Sequence, residues 1–246
     1  MSSGASTSAG TRAFPPTRWS VVLAAQQPQS AESAAALEVL CRAYWYPLYA
    51  YVRRAGQSAH DAQDLTQEFF CRLIERHWLD AADREKGKLR TFLIVALKKF
   101  MSNEWRRASA ERRGGGRAAM PLDTVLAESR YAADNHSLAP DDAFDQQWAL
   151  TLLDLTVNRL RDEFAAAGKP GEFDLLKGCL MAERGALDYA GMAARLGVTE
   201  GAARVAAHRL RKRFRQLYRE EIAQTLAAGT DPEAEMRHLA AALARQ

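Results

Sequence analysis

Cysteine is scarce in this chain. Cys41, Cys71 and Cys179 are its only three, far apart and with no CxxC pair. That excludes a disulfide framework and a cysteine-rich zinc site, and it fits a reducing compartment. Long apolar runs are also missing: nothing approaches the roughly 18–20 residues that a membrane span needs. The N-terminus has no cationic segment leading into an apolar one. Five histidines are scattered, which is little for a metal-dependent hydrolase. GxSxG, GxxxxGK[ST] and GxGxxG do not occur, and Gly114–Gly116 follows no strand pattern. No segment alternates apolar and polar residues as a strand does. The expectation is therefore a soluble, cytoplasmic, all-α protein that is not an enzyme, with no catalytic residue, no cofactor, no metal and no membrane partner.

What is present is charge, unevenly placed. The chain has 246 residues, an apolar fraction of 48% and a net charge of +4. Residues 86–117, KGKLRTFLIVALKKFMSNEWRRASAERRGGGR, hold ten cations against two acids, a net of +8. The rest of the chain is thus net acidic, and a polyanion partner at one place follows.

Helical periodicity accounts for most of the rest. After a Ser-, Ala- and Gly-rich start, Thr17 is placed to cap a short helix through Trp19, Val22 and Leu23. Residues 30–55 repeat apolar side chains at three- and four-residue steps, with Pro47 as a kink or a helix start. Residues 58–78 form a second helix with Ala62, Leu65, Phe69, Leu73 and His77 on the buried stripe. Asp61, Asp64, Glu68, Arg72 and Glu75 fall opposite. Leu79–Lys88 reads as a polar loop. A helix from Leu89 then puts Leu89, Phe92, Leu93, Ala96, Leu97 and Phe100 inward and Lys98, Lys99, Ser102 and Arg106 outward, with Ile94, Met101 and Trp105 between. Residues 117–145 are poor in apolar side chains and read as an acidic linker. About 30 flexible residues reach roughly 30 Å on average and about 100 Å when extended. Helices resume from Phe144, and Asp231-Pro232 caps a last short one.

Three motifs carry chemistry. In residues 188–215, Asp188 caps a short helix, Gly197 supplies a left-handed turn, and Thr199 caps a basic helix. That is the helix-turn-helix pattern. Arg204, His208, Arg211 and Arg215 share one outer face, with Arg209, Lys212 and Arg213 beside it. Arginine is the side chain that reads guanine edges in the major groove. The bland alternative is a solvated basic helix. The acidic face at residues 61–68 has three readings: a docking face for a basic partner, a divalent-metal site at His60, Asp61, Asp64 and Glu68, or a solvated surface. The basic-aromatic stretch at residues 86–117 suits single-stranded nucleic acid, where charge tracks phosphates and rings stack on bases. Phe92 and Phe100 read as core, and the role of Trp105 stays open.

Together these segments resemble a bacterial RNA polymerase sigma factor of the extracytoplasmic-function (ECF) class. The likeness covers about residues 35–113 and 148–221. Residues 60–73, HDAQDLTQEFFCRL, are similar to the family's polymerase-binding helix, DAEDLVQETFLRL. Residues 89–107, LRTFLIVALKKFMSNEWRR, resemble its −10-region helix, FRAWLFTIARNTALDYLRR. Residues 188–211, DYAGMAARLGVTEGAARVAAHRLR, resemble its −35-binding helix-turn-helix, SYEEIAELLGISEGTVKSRLHRAR.

The resemblance implies a transcription initiation factor that recognises −10 and −35 promoter elements and opens the −10 DNA. Asp61, Asp64, Gln67, Glu68 and Arg72 would dock on core RNA polymerase, at the clamp coiled coil of its largest subunit, with the flap as a further contact. Asp83, Lys86, Lys88, Lys98, Lys99, Ser102, Asn103 and Arg106 would meet the −10 strand, and the loop 83–88 would capture a flipped base. Lys99 and Asn103 stand where the family has Asn and Asp, which makes this face more basic. Thr199, Arg204, His208, Arg209, Arg211, Lys212 and Arg215 would meet the −35 element. Gly191 replaces a glutamate, at about 1 kcal/mol of helix propensity relative to Ala.

The implied layout is two small helical domains on a flexible linker: a disordered start (1–13), a region 2-like domain (14–113), the linker (114–145), a region 4-like domain (146–228) and a tail helix (229–246). The two elements lie ~17 base pairs, about 58 Å, apart, so an extended linker and bivalent binding are expected. Promoter DNA and an anti-sigma factor complete the candidate partners. The alternative is a helix-turn-helix regulator that acts without binding polymerase.

Overall fold

The computed structural model describes residues 19–26, 31–83, 85, 87–110, 124–134, 137–182, 187–227 and 229–245. The expected disordered start, Lys86 and the exit Gly114–Gly116 lie outside them. The described residues form ten α-helices and two 3-10 turns, and no strand. The order is α1 (Trp19–Ala25), α2 (Ala31–Arg54), α3 (Ala59–Glu75), α4 (Leu89–Ala110), α5 (Thr124–Ala133), α6 (Pro140–Ala166), α7 (Pro170–Leu176), α8 (Tyr189–Leu196), α9 (Glu200–Thr225) and α10 (Pro232–Leu243).

Helix α2 is the central element because its apolar residues run all round. From Ala43 to Val52 every side chain is buried, and a helix apolar on all sides must be enclosed. Pro47 sits inside this helix without breaking it. α3 covers one side of α2 with Ala62, Phe69, Phe70 and Leu73. Ser58 caps α3, its Oγ accepting from the Asp61 amide at 3.1 Å. His77 does not join the buried stripe: it is exposed and left-handed, φ 51°, where the chain turns out of α3. The loop after it is less polar in effect than in composition. A 3-10 turn at Trp78–Ala81 buries Leu79 in the core. In α1, Trp19 and Val22 are buried and Leu23 is exposed.

The stretch read as a linker differs most. Helix α5 lies within it and is held to α2. Tyr49 and Arg53 both donate to Glu128, the latter at 3.0 Å. Tyr46 donates to Asp134 at 2.8 Å, and the Arg53 guanidinium lies over the Tyr131 ring at 4.4 Å. Acids that composition assigns to a solvated linker are partners for α2's polar atoms.

Helix α6 then belongs to two cores at once. Its first half contributes Phe144, Trp148 and Leu152 to the core around α2, where Trp148 stacks on Tyr44 at 4.4 Å. Its second half contributes Leu160 to a second core with Phe173, Leu176, Cys179, Ala207, Leu210 and Leu217. α9 repeats this division, with Tyr218 and Ile222, and Leu226 just past its end, in the first core. The cores are therefore joined through two continuous helices. Residues 146–152, expected in the second domain, pack with the first.

Helix α10 closes the remaining side, against α6 and α9, with Leu239 and Ala242 buried. Asp231 caps it, accepting from Glu233 N at 3.0 Å. Its Glu235 is buried and bonded to Lys88 and to Arg90 Nε, the latter at 2.9 Å. Burial pushes the Glu235 carboxyl up, but Arg90 and Lys88 outweigh it and hold it below the usual carboxylate range.

Two outcomes test this core. Trp148→Ala should lose about 3–5 kcal/mol in urea unfolding, read by the shift of midpoint. Glu235→Gln should lower the melting temperature at neutral pH. A depressed folded-state pKa stabilises above the ordinary carboxylate value of about 4.3 and is lost as pH falls through the folded value. The gap between variant and parent should therefore close on acidification below that range.

Candidate nucleic-acid interface

The sequence of α4 dictates two faces. Leu89, Leu93, Leu97 and Phe100 are buried at helical steps, joined by Ile94 and Met101. Val95, Lys99, Ser102, Asn103 and Arg106 are exposed along the opposite side. Arg90 leaves the basic face altogether: it is buried, tied to Glu235 and Asp145.

Between α3, the Trp78 turn and α4 lies an open groove of about 620 Å³. Trp78, Phe92 and Phe100 give it ring surface, and Arg76, Lys99 and Arg106 give it charge. Asn103 adds an amide, with donors and an acceptor. Rings with cations round the rim fit a flat, π-faced, anionic ligand such as an unstacked nucleotide. Phe92, expected in the core, is only half-buried and lines this groove. Trp105 is exposed by 48% and is not among the lining residues. Arg76 and Trp78 were not among the expected residues. They come after α3 ends, where periodicity no longer says which way a side chain points.

The other expected −10 residues are dispersed. Lys98 turns to α6 and donates to Asp141 at 2.5 Å, a bond that holds its ammonium above the ordinary lysine range. Lys88 is bonded to Glu235. Ser102 donates to the Lys98 carbonyl at 2.9 Å. Asp83 accepts from the Glu85 amide at 2.9 Å. Lys99, Asn103 and Arg106 are the ones brought together.

The acidic side of α3 also divides. Asp61 and Asp64 are exposed, with His60 Nε2 3.5 Å from Asp64. Gln67 is buried. Arg72 is clamped between Glu68 at 2.7 Å and Glu104 at 2.5 Å, its guanidinium 5.1 Å from the Phe100 ring centre. Glu68 and Arg72 thus brace α3 on α4 and fix one wall of the groove. Among the described residues, no three His, Cys, Asp or Glu side chains gather where they could hold a metal.

The second basic surface is on α9. α8 and α9 are joined by Gly197–Thr199, with Gly197 left-handed at φ 68°. Asp188 accepts from Gly191 N at 2.9 Å and Thr199 from Ala202 N at 3.3 Å. A Cβ on residue 191 would sit 2.2 Å from Asp188 Oδ2. Gly191 thus leaves room for the cap, which offsets its poor helix propensity.

Arg204, His208, Arg209, Lys212 and Arg215 are exposed. Arg204 is paired with Glu200 at 2.5 Å and lies over the Tyr189 ring at 4.4 Å. Val205, exposed beside them, adds an apolar contact of the kind that meets a thymine methyl. Its neighbours' charge hides it in the sequence. Arg211 is differently employed: it donates to the carbonyls of Cys179 at 2.7 Å and Ala182 at 3.1 Å. It caps the end of the 3-10 turn Lys177–Leu180 rather than projecting with the others.

Against this geometry, the sigma-70 region 2 family model matches residues 40–111, from the middle of α2 to the end of α4. The matched segment contains the acidic helix and every residue that lines the groove. The chain therefore carries a sigma-70 region 2, which indicates a sigma-factor family. Neither curated proteins nor solved structures give a match. Among the described residues, no helix is long and apolar enough to cross a membrane.

Arg211→Ala should destabilise the fold by about 1–3 kcal/mol through two orphaned carbonyls. Chemical denaturation checks this, and loss of DNA affinity without loss of stability contradicts the capping role.

Proposed function

We propose that the chain is a transcription initiation factor of the ECF class, which works in the cytoplasm by binding core RNA polymerase and directing it to promoters. The observation that carries this reading is that the sigma-70 region 2 match coincides with the basic, ring-lined groove of α3 and α4. In this reading Asp61 and Asp64 dock on the polymerase clamp. The groove at Lys99, Asn103 and Arg106 receives unstacked bases of the −10 strand. α8 and α9 act as a helix-turn-helix for the −35 element, with Arg204, His208, Arg209, Lys212 and Arg215 at bases and phosphates.

Opening the duplex needs no covalent chemistry from this protein. Unstacking a base takes a few kcal/mol, and capture in a fitted pocket offsets it. Polymerisation belongs to the partner, so the proposed factor is not an enzyme and carries no cofactor. Electrostatics supplies much of the affinity, so binding should weaken steeply with salt.

The test is copurification with core polymerase, followed by transcription from fragmented genomic DNA. Asp64→Arg should abolish association while leaving the helical circular dichroism intact, because Asp64 is exposed. Retained association removes the docking face from the reading. Arg204→Ala should weaken recognition of the upstream element by about 1–3 kcal/mol and relax base preference there, as a binding-site selection would show. Tight duplex binding by a chain that never joins core enzyme would establish a polymerase-independent regulator instead.

A further inference from the structure

Lys88 and Lys98 are cations that the resemblance assigns to DNA, yet both are occupied by carboxylates from distant parts of the chain. Lys88 is held by Glu235, 147 positions away. Lys98 is held by Asp141, 43 positions away. Arg90, in the first turn of α4, is held by Glu235 and Asp145. All three acids lie outside the region 2 match, on α6 and α10.

We propose that the start of α6 and helix α10 act as an internal polyanion, whose Asp141, Asp145 and Glu235 hold Lys88, Arg90 and Lys98 until a nucleic-acid backbone takes their place. The proposal rests on the reading that α4 meets nucleic acid, and adds that this face is partly self-occupied in the closed chain.

The chemistry allows exchange. Carboxylate and phosphate oxygens are both anionic acceptors for ammonium and guanidinium donors. When a phosphate displaces a carboxylate, the cation keeps a partner and the freed carboxylate is hydrated. α10 would leave as a unit, re-exposing Leu239 and Ala242. It has 12 residues, short enough to be marginal without its packing. Much of its attachment is polar: His238 Nε2 to Asp145 at 2.8 Å, Arg219 to Glu233 at 2.9 Å, and Arg245 to Asp142. Such pairs are weakened by salt and by competing ions. The uneven charge of the sequence acquires a use here, since the acidic remainder folds back on the basic helix.

The first test uses the unaltered full chain. A zero-length carbodiimide crosslinker should join Lys88 to Glu235, detected by peptide mass spectrometry. A saturating 20-nucleotide mixed-sequence single-stranded DNA should suppress that crosslink. An undiminished crosslink in the DNA-bound protein overturns the proposal. The second test compares variants. Glu235→Gln/Asp141→Asn should bind the same oligonucleotide about three- to thirtyfold more tightly than the parent, as expected for two lysines released from their ion pairs. The matched double variant Glu38→Gln/Asp154→Asn, with the same charge change away from α4, should rise less. Adding Lys88→Gln and Lys98→Gln should abolish the gain. A rise no larger than the matched control, or one that survives loss of both lysines, also overturns it. A chain that joins core polymerase but shows neither effect refutes the internal polyanion alone; a chain that binds no DNA in any form refutes both readings.

Discussion

Trp148 lies flat on Tyr44, and that contact decides where the two halves of the chain meet. Both rings are fully buried at the centre of the first core. Aromatic stacking adds about 0.5–1.5 kcal/mol to what burial already contributes. Once Trp148 is fixed there, α6 must begin inside the first core and end in the second. The position of α9 follows, because its last turns pack beside the same part of α6. α10 then fills the corner that these helices leave open. One ring pair thus fixes the relation between the groove on α4 and the basic surface on α9.

The polar contacts that ring this core have a common pattern. Tyr46, Tyr49 and Arg53 on α2 are met by Asp134 and Glu128. Arg90 on α4 is met by Asp145 and Glu235. Arg159 on α6 is met by Glu220 and Glu221, at 2.8 and 2.6 Å. In each case the acids come from later in the chain. Breaking a buried pair by removing one partner is far more damaging than its net worth suggests. These contacts therefore specify which late helix lies where, more than they add stability.

The helices were legible in the sequence because 3.6-residue periodicity is local, and so were the caps at Asp188, Thr199 and Asp231. The groove was half legible. Lys99, Asn103 and Arg106 share a helix face, so their spacing announces them, whereas Arg76 and Trp78 follow a helix end, where no period applies. What could not be read was pairing across distance. Nothing local in residues 117–145 says that its acids are partners for α2, so composition suggested a solvated linker. Glu235 looks in sequence like any first-turn acid, and only the packing of Leu239 and Ala242 turns it inward. Arg211 has the spacing of a reading residue, but two carbonyls at the end of a 3-10 turn lie within its reach.

α6 also sets a length. Its 27 residues at 1.5 Å each give a rod of about 40 Å, shorter than the ~58 Å over ~17 base pairs. A factor that engages both promoter elements at that separation cannot use the rod as a rigid spacer. One source of extension is the first half of α6, whose release from α2 would turn folded helix into tether. The strength of one ring stack would then govern how readily the molecule changes its span.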